Sequence, residues 1–241
     1  MLTDAYVVKE VQAALAATDA NDGKVMYATT GGPTMAPTKS WAYRDGALDR
    51  IHGLRGGQAA LAIGYLISGD SATYTFVNYA THTWARYHQG TAGAPFLPDS
   101  LVGLALTPQC GASSSTSPGG TLSWPEYLRS ELACGVLHYA GHATVNGVRA
   151  IVLDRAPAVN AHGMKERLWV NAQTYLPIRA VVQEVPGRAY PMPGAGVLYR
   201  SITDFQWLPP TQANLAKVAL SIPAGFREVP DSAVNAFTYF S

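Results

Sequence analysis

The stretch that most restricts what this chain can fold into is residues 141–184. It reads GHATVNGVRAIVLDRAP and, after a short link, KERLWVNAQTYLPIRAVVQE. Four short β-like runs, at 138–145, 148–154, 166–170 and 178–184, are separated by turn chemistry. Asn146-Gly147 joins the first pair, and both residues accept the positive φ angles of a type I′ hairpin turn. Residues 171–177 join the second pair. There the Asn171 side chain can cap a turn, and Pro177 holds Leu176 extended at the entry to the next run. In that last run Ile178, Ala180 and Val182 point to one side and Arg179, Val181 and Gln183 to the other. Two tandem hairpins of this kind predict an antiparallel meander, not a catalytic loop.

A chain of 241 residues is long enough to bury a large core without metals, and no shift in composition marks a boundary inside it. The expectation is a single domain over 1–241. With 17 basic and 16 acidic residues and no basic cluster in the sequence, nucleic acid is excluded as a partner class. Charged residues make up 14%, well below the roughly one quarter of an average soluble domain. Tyr, Thr, Ser and Gly take their place, as in β-rich extracellular proteins. The longest apolar run, 59–67, is far shorter than the roughly 20 residues of a membrane-spanning helix. No signal peptide is legible at Met1, so the reading is either a cytosolic protein or one whose signal or anchor lies outside this sequence. The two cysteines, Cys110 and Cys134, lack metal-ligand spacing. A disulfide between them would close a loop worth roughly 3 kcal/mol in the chain-entropy view and would imply an oxidising compartment. Two buried free thiols are the alternative.

Taken in order, residues 4–18 carry apolar side chains at helical spacing behind Asp4 as a candidate N-cap. Strand patterns follow at 24–30, 39–44, 47–54, 71–79 and 82–88, while 58–68 reads equally as a short buried helix or a strand. Residues 107–121 are low in complexity and predict an exposed loop. Ser123 and Glu126 then have the spacing of a capping box, opening a helix to about residue 132. A Pro/Gly-rich loop at 185–196 precedes a strand at 197–208, a helical turn over 209–217 and two short strands at 219–222 and 225–229.

The chemistry-bearing residues assemble into no familiar site. His138 and His142 lie four apart on one predicted strand, about 13 Å along it, too far to share an ion; His82 and His88 fail in the same way. No metal site, catalytic group or cofactor is expected, for GxSxG, HExxH, Walker and GxGxxG patterns are all missing. The aromatics say more. Trp41, Tyr43, Tyr74, Phe76, Trp84, Trp169 and Tyr199 sit on several strands of what reads as one curved sheet. They form either an ordinary aromatic core or, under an incomplete cover, the lining of an apolar cavity.

Three segments carry a resemblance: LWVNAQTYLPIR (168–179), GHATVNGVRAIVL (141–153) and YTFVNYATHTWAR (74–86), with Ile222-Pro-Ala-Gly-Phe226 closing the match. Together they resemble a family of extracytoplasmic actinobacterial proteins similar to LolA/LppX-type lipoprotein carriers and the RseB-type sensor domain. The resemblance implies a mainly β (α+β) fold, a large antiparallel half-barrel with helices covering the concave face. It implies a non-enzymatic extracytoplasmic domain that binds a lipid, a lipoprotein acyl chain or a similar apolar ligand. The seven aromatics become its candidate ligand-binding residues. An RseB-like regulatory domain that binds a membrane protein is the alternative, and an uncharacterised hydrolase the third.

Overall fold

A computed structural model describes residues 5, 9–11, 23–33, 35–45, 48–55, 61–68, 71–90, 132–133, 135–155, 164–184 and 200–230 of the chain. The strands are β1 (Val25–Gly32), β2 (Met35–Asp45), β3 (Leu48–Arg55), β4 (Leu61–Ser68), β5 (Ser71–Asn78) and β6 (Thr83–Gly90). After them come β7 (Leu137–Val145), β8 (Val148–Arg155), β9 (Met164–Asn171), β10 (Pro177–Glu184) and β11 (Arg200–Leu208). The helix α1 (Gln212–Val218) and the two-residue β12 (Arg227–Glu228) follow.

The twelve described strands join one sheet, in the order β12-β6-β5-β4-β3-β2-β1-β11-β10-β9-β8-β7. It consists of two antiparallel meanders, β1 to β6 and β7 to β11, fused where β11 pairs with β1. The end strands β12 and β7 do not meet, so the sheet is an open half-barrel. Consecutive in the chain, β6 and β7 lie toward opposite ends of the sheet. Between them in the chain, the helical residue Leu132 is buried in the core on one face.

The central meander forms as its turn chemistry dictates. Asn146 and Gly147 take φ 51 and 78, the double positive φ of a type I′ turn, and close the Val145↔Val148 pair. Asn171 accepts hydrogen bonds through Oδ1 from the Gln173 and Thr174 amides, at 2.8 and 3.0 Å, and so turns β9 into β10. Asn78 turns β5 into β6 in the same way, accepting from the Ala80 and Thr81 amides. His82 closes that turn with φ 52.

One open reading is decided and two local expectations are corrected. Residues 61–68, ambiguous by pattern, form strand β4, because neighbours β3 and β5 supply ladders on both sides. The expected strand at 219–222 is not one: the chain there runs across the sheet instead of along it, and Leu220 packs on Gly64 of β4. The expected strand at 225–229 shrinks to β12, parallel to β6. Of the expected helix at 4–18, Ala5 and Lys9–Glu10–Val11 are helical. The remainder of that helix, the loop at 107–121, Tyr199 and both Cys110 and Cys134 lie outside the described residues.

Candidate binding face

Cross-strand register assigns each residue to a face, since directly paired residues project to the same side. One face carries Met26, Ala28, Leu137, Ile151, Leu153, Leu168, Val170, Ala180 and Phe205, which form the main core cluster together with Val11 and Leu132. This is the inner face, roofed by helical residues. The other, outer face holds the odd-numbered positions of β1 and β2 and the even-numbered positions of β11.

The six described aromatic candidates do not converge. Tyr74 and Phe76 lie on the inner face, 1 and 2% exposed, with ring centroids 6.3 Å apart. Tyr87, paired with Tyr74, extends this group at 6.0 Å but is 40% exposed. Trp41, Tyr43, Trp84 and Trp169 project from the outer face. Trp41 stacks on Tyr27 at 5.2 Å, and the Arg86 guanidinium lies 5.3 Å over Trp84. Register thus divides these six rings between the two faces of the sheet. Large side chains alternate with small ones along KSWAYR (39–44), and size gave no indication of which set pointed inward.

Between the aliphatic wall on β8 and β9, continued by Phe205 of β11, and Ile63 and Phe76 of β4 and β5, one row of the inner face runs through the small residues Ala28, Ser40 and Gly53. Ala28, Thr38 and Ser40 are 2, 3 and 4% exposed. A polar strip runs beside them. Thr30 and Thr203 share a hydrogen bond of 2.9 Å between their hydroxyls, and Ser201 lies in phase with Thr203 on β11. Farther along, Arg155 and Glu166 form a buried ion pair, 2.8 Å from Nε to Oε2. Sequence reading missed this strip, although its signal was present: Arg155 is in phase with Ile151 and Leu153, and Glu166 with Leu168 and Val170. A charged residue in phase with an apolar face is buried when an opposite charge sits across the ladder.

At the β7 edge a register shift between Tyr139 and Gly141 keeps Tyr139 and His142 on one side. There the Tyr139 hydroxyl and His142 Nδ1 are hydrogen-bonded at 2.7 Å. Neither these groups nor any others bring together three His, Cys, Asp or Glu side chains as metal ligands among the described residues.

Among the described residues, the cover of the outer face lies over β1 to β6. Thr211 caps α1, accepting from the Asn214 amide at 3.3 Å. The helix packs across β1–β3, and Leu220 continues the cover over Gly64. Phe226 then stacks edge-on against Tyr79 at 5.6 Å. The Arg227 amide donates to the His82 carbonyl at 3.0 Å and the Val229 amide to the Trp84 carbonyl at 2.9 Å. This strap, which contains the Ile222–Phe226 motif, ties the centre of the sheet to its far edge. Among the described residues no helix is long and apolar enough to cross a membrane.

No family model matches the chain, and no curated protein matches it. Among solved structures, MucB in complex with MucA(peri) aligns over 89% of this chain and 60% of that one, at 14% identity and TM-score 0.42. The chain thus spans about three fifths of that protein's length. A DUF1329 family protein from Desulfovibrio piger aligns over 85% of this chain and 94% of that one, at 11% identity and TM-score 0.36. A LolA superfamily protein from Nitrosomonas europaea aligns over 81% and 91%, at 13% identity and TM-score 0.28. Likenesses of this degree carry no argument about ligand or partner.

Proposed function

We propose that this is a non-enzymatic binding domain whose inner face takes an acyl chain or similar apolar ligand. One observation carries the reading: small side chains floor the middle of an inward, helix-roofed face whose flanks are bulky. In one row Ala28, Ser40 and Gly53 are consecutive partners between Phe205 and Ile63, where an ordinary core would place large aliphatics. A trough of this kind is lined as small-molecule sites usually are, mostly apolar with a few polar groups. The ligand enters when the roof carrying Val11 and Leu132 parts from the sheet. Each methylene buried contributes roughly 0.8 kcal/mol before the costs of association, so a long chain binds without a charged contact. The domain works outside the cytoplasm, with Cys110 and Cys134 as a disulfide; titration of the unreduced, unfolded chain should find no free thiol.

Titration with a fluorescent fatty acid tests the reading. Saturable binding by the wild-type protein should be lost in Ala28→Leu, which fills the floor. It should persist in Trp169→Asp, on the outer face. Absence of saturable binding, or equal loss in both folded variants, refutes the trough.

A second reading, a regulatory domain that takes a partner protein, is favoured by β7. It ends the sheet, and among the described residues no strand pairs with its far side, which leaves a ladder for an incoming strand.

A further inference from the structure

We infer that the part of the outer face spanned by β9, β10 and β11, with Thr29 of β1 and Lys39 of β2 at its margin, docks on an anionic membrane surface. The register lays out its side chains in rows. Lys165, Gln183 and Arg200 are consecutive partners across β9, β10 and β11. Arg167, Val181 and Ile202 form the next row. The third runs Trp169, Arg179, Asp204, Thr29 and Lys39, from β9 to β2.

The face is strongly one-signed for a chain of net charge +1. The three rows, with Asp154 paired beside Arg167, hold five cations, Lys39, Lys165, Arg167, Arg179 and Arg200, and two carboxylates, Asp154 and Asp204. Both carboxylates are already engaged. Arg167 grips Asp154 with Nε and Nη2 at 2.6 and 2.7 Å, and this hydrogen bond raises the guanidinium's pKa further. Arg179 holds Asp204 at 2.6 Å. Three exposed cations remain uncompensated by these carboxylates: Lys39, Lys165 and Arg200. Half-buried Trp169, Val181 and Ile202 lie among them, and the Arg167 guanidinium sits 6.0 Å from the Trp169 ring.

Cations around half-buried aliphatics and a tryptophan match a layer of anionic headgroups over an apolar interior, where indole rings settle at headgroup depth. The layout also disfavours one small anion. From β9 to β2 is four strand spacings, about 19 Å, so the cations are strung across a broad face instead of converging on a point. The inner face and its roof stay free of this contact, because they lie on the opposite side of the sheet.

Co-sedimentation with vesicles tests the inference, independently of any lipid held on the inner face, since protein that has extracted a lipid remains in the supernatant. The wild-type protein should sediment with phosphatidylcholine vesicles containing about one third phosphatidylglycerol and not with phosphatidylcholine alone. Raising salt to about 1 M, where the Debye length falls to roughly 3 Å, should release it. Lys165→Glu with Arg200→Glu should lower the partition coefficient tenfold or more, taking about fivefold per basic residue near such a surface. Lys24→Glu with Arg149→Glu makes the same change in net charge away from this face and should leave binding within about twofold. Melting curves establish that each pair folds; Lys165→Gln with Arg200→Gln replaces the first pair if it does not. Equal losses in the two pairs, no preference for the anionic vesicles, or binding to soluble oligo-glutamate as tight as to vesicles each overturns the assignment, the last in favour of an acidic protein partner.

Discussion

Arg155 and Glu166 meet on the inner face across the β8–β9 ladder, 2.8 Å apart, with side chains 7 and 8% exposed. Both charges have lost most of their water, so each depends on the other for compensation. Removing one partner strands a buried charge at a cost of roughly 3–5 kcal/mol, whereas replacing both with apolar groups of similar volume is often neutral. Glu166→Leu should therefore unfold at much lower denaturant concentration than wild type, and Arg155→Met with Glu166→Leu should recover most of the loss. Chemical denaturation of both variants decides it; equal instability of the single and double variants would show that other contacts dominate.

The turn at Asn146 and Gly147 isolates backbone conformation from packing. A Cβ added to Gly147 would meet no heavy atom within 4 Å, while its φ is +78. Any penalty for a larger residue there comes from the left-handed backbone itself. Gly147→Val should lower stability by about 1–2 kcal/mol, and Asn146→Asp by only a few tenths, since Asp tolerates positive φ. Thermal melts compare the two, and equal shifts would rule out the primed turn.

Gly64 tests whether the strap is held by the sheet beneath it. A Cβ there would lie 2.8 Å from Leu220 Cβ and 2.9 Å from its Cδ2. Gly64→Ala should push the strap outward and destabilise the fold by about 1–3 kcal/mol, as overpacking does. Leu220→Ala removes the Cδ2 and Cγ neighbours, so the double variant should be more stable than the sum of the two single changes implies. Simple additivity in a double-mutant cycle would mean that the strap does not rest on β4.

The local grammar of the meander was legible because its causes are local. Asn146-Gly147 demands positive φ wherever it stands, and Asn171 satisfies its own turn through an amide two residues on. Alternation along 178–184 likewise separated Ala180 from Arg179 without knowledge of their neighbours. Cys110, Cys134 and Tyr199 fall outside the described residues.

What the sequence determined by itself was therefore most of the strands, the turns of the central meander and a mainly antiparallel sheet, since period-two alternation and turn stereochemistry act over a few residues. Which face of each strand points inward was decided only by the tertiary structure. Alternation defines two faces but does not label them, and in β2 the label runs against size: Ser40 and Ala42 face the core, Trp41 and Tyr43 the opposite side. The fusion of β11 to β1, the burial of Arg155 against Glu166 and the crossing of Leu220 over Gly64 depend on residues far apart in the chain. No local preference encodes such contacts; they exist because two meanders must share one core beneath one roof.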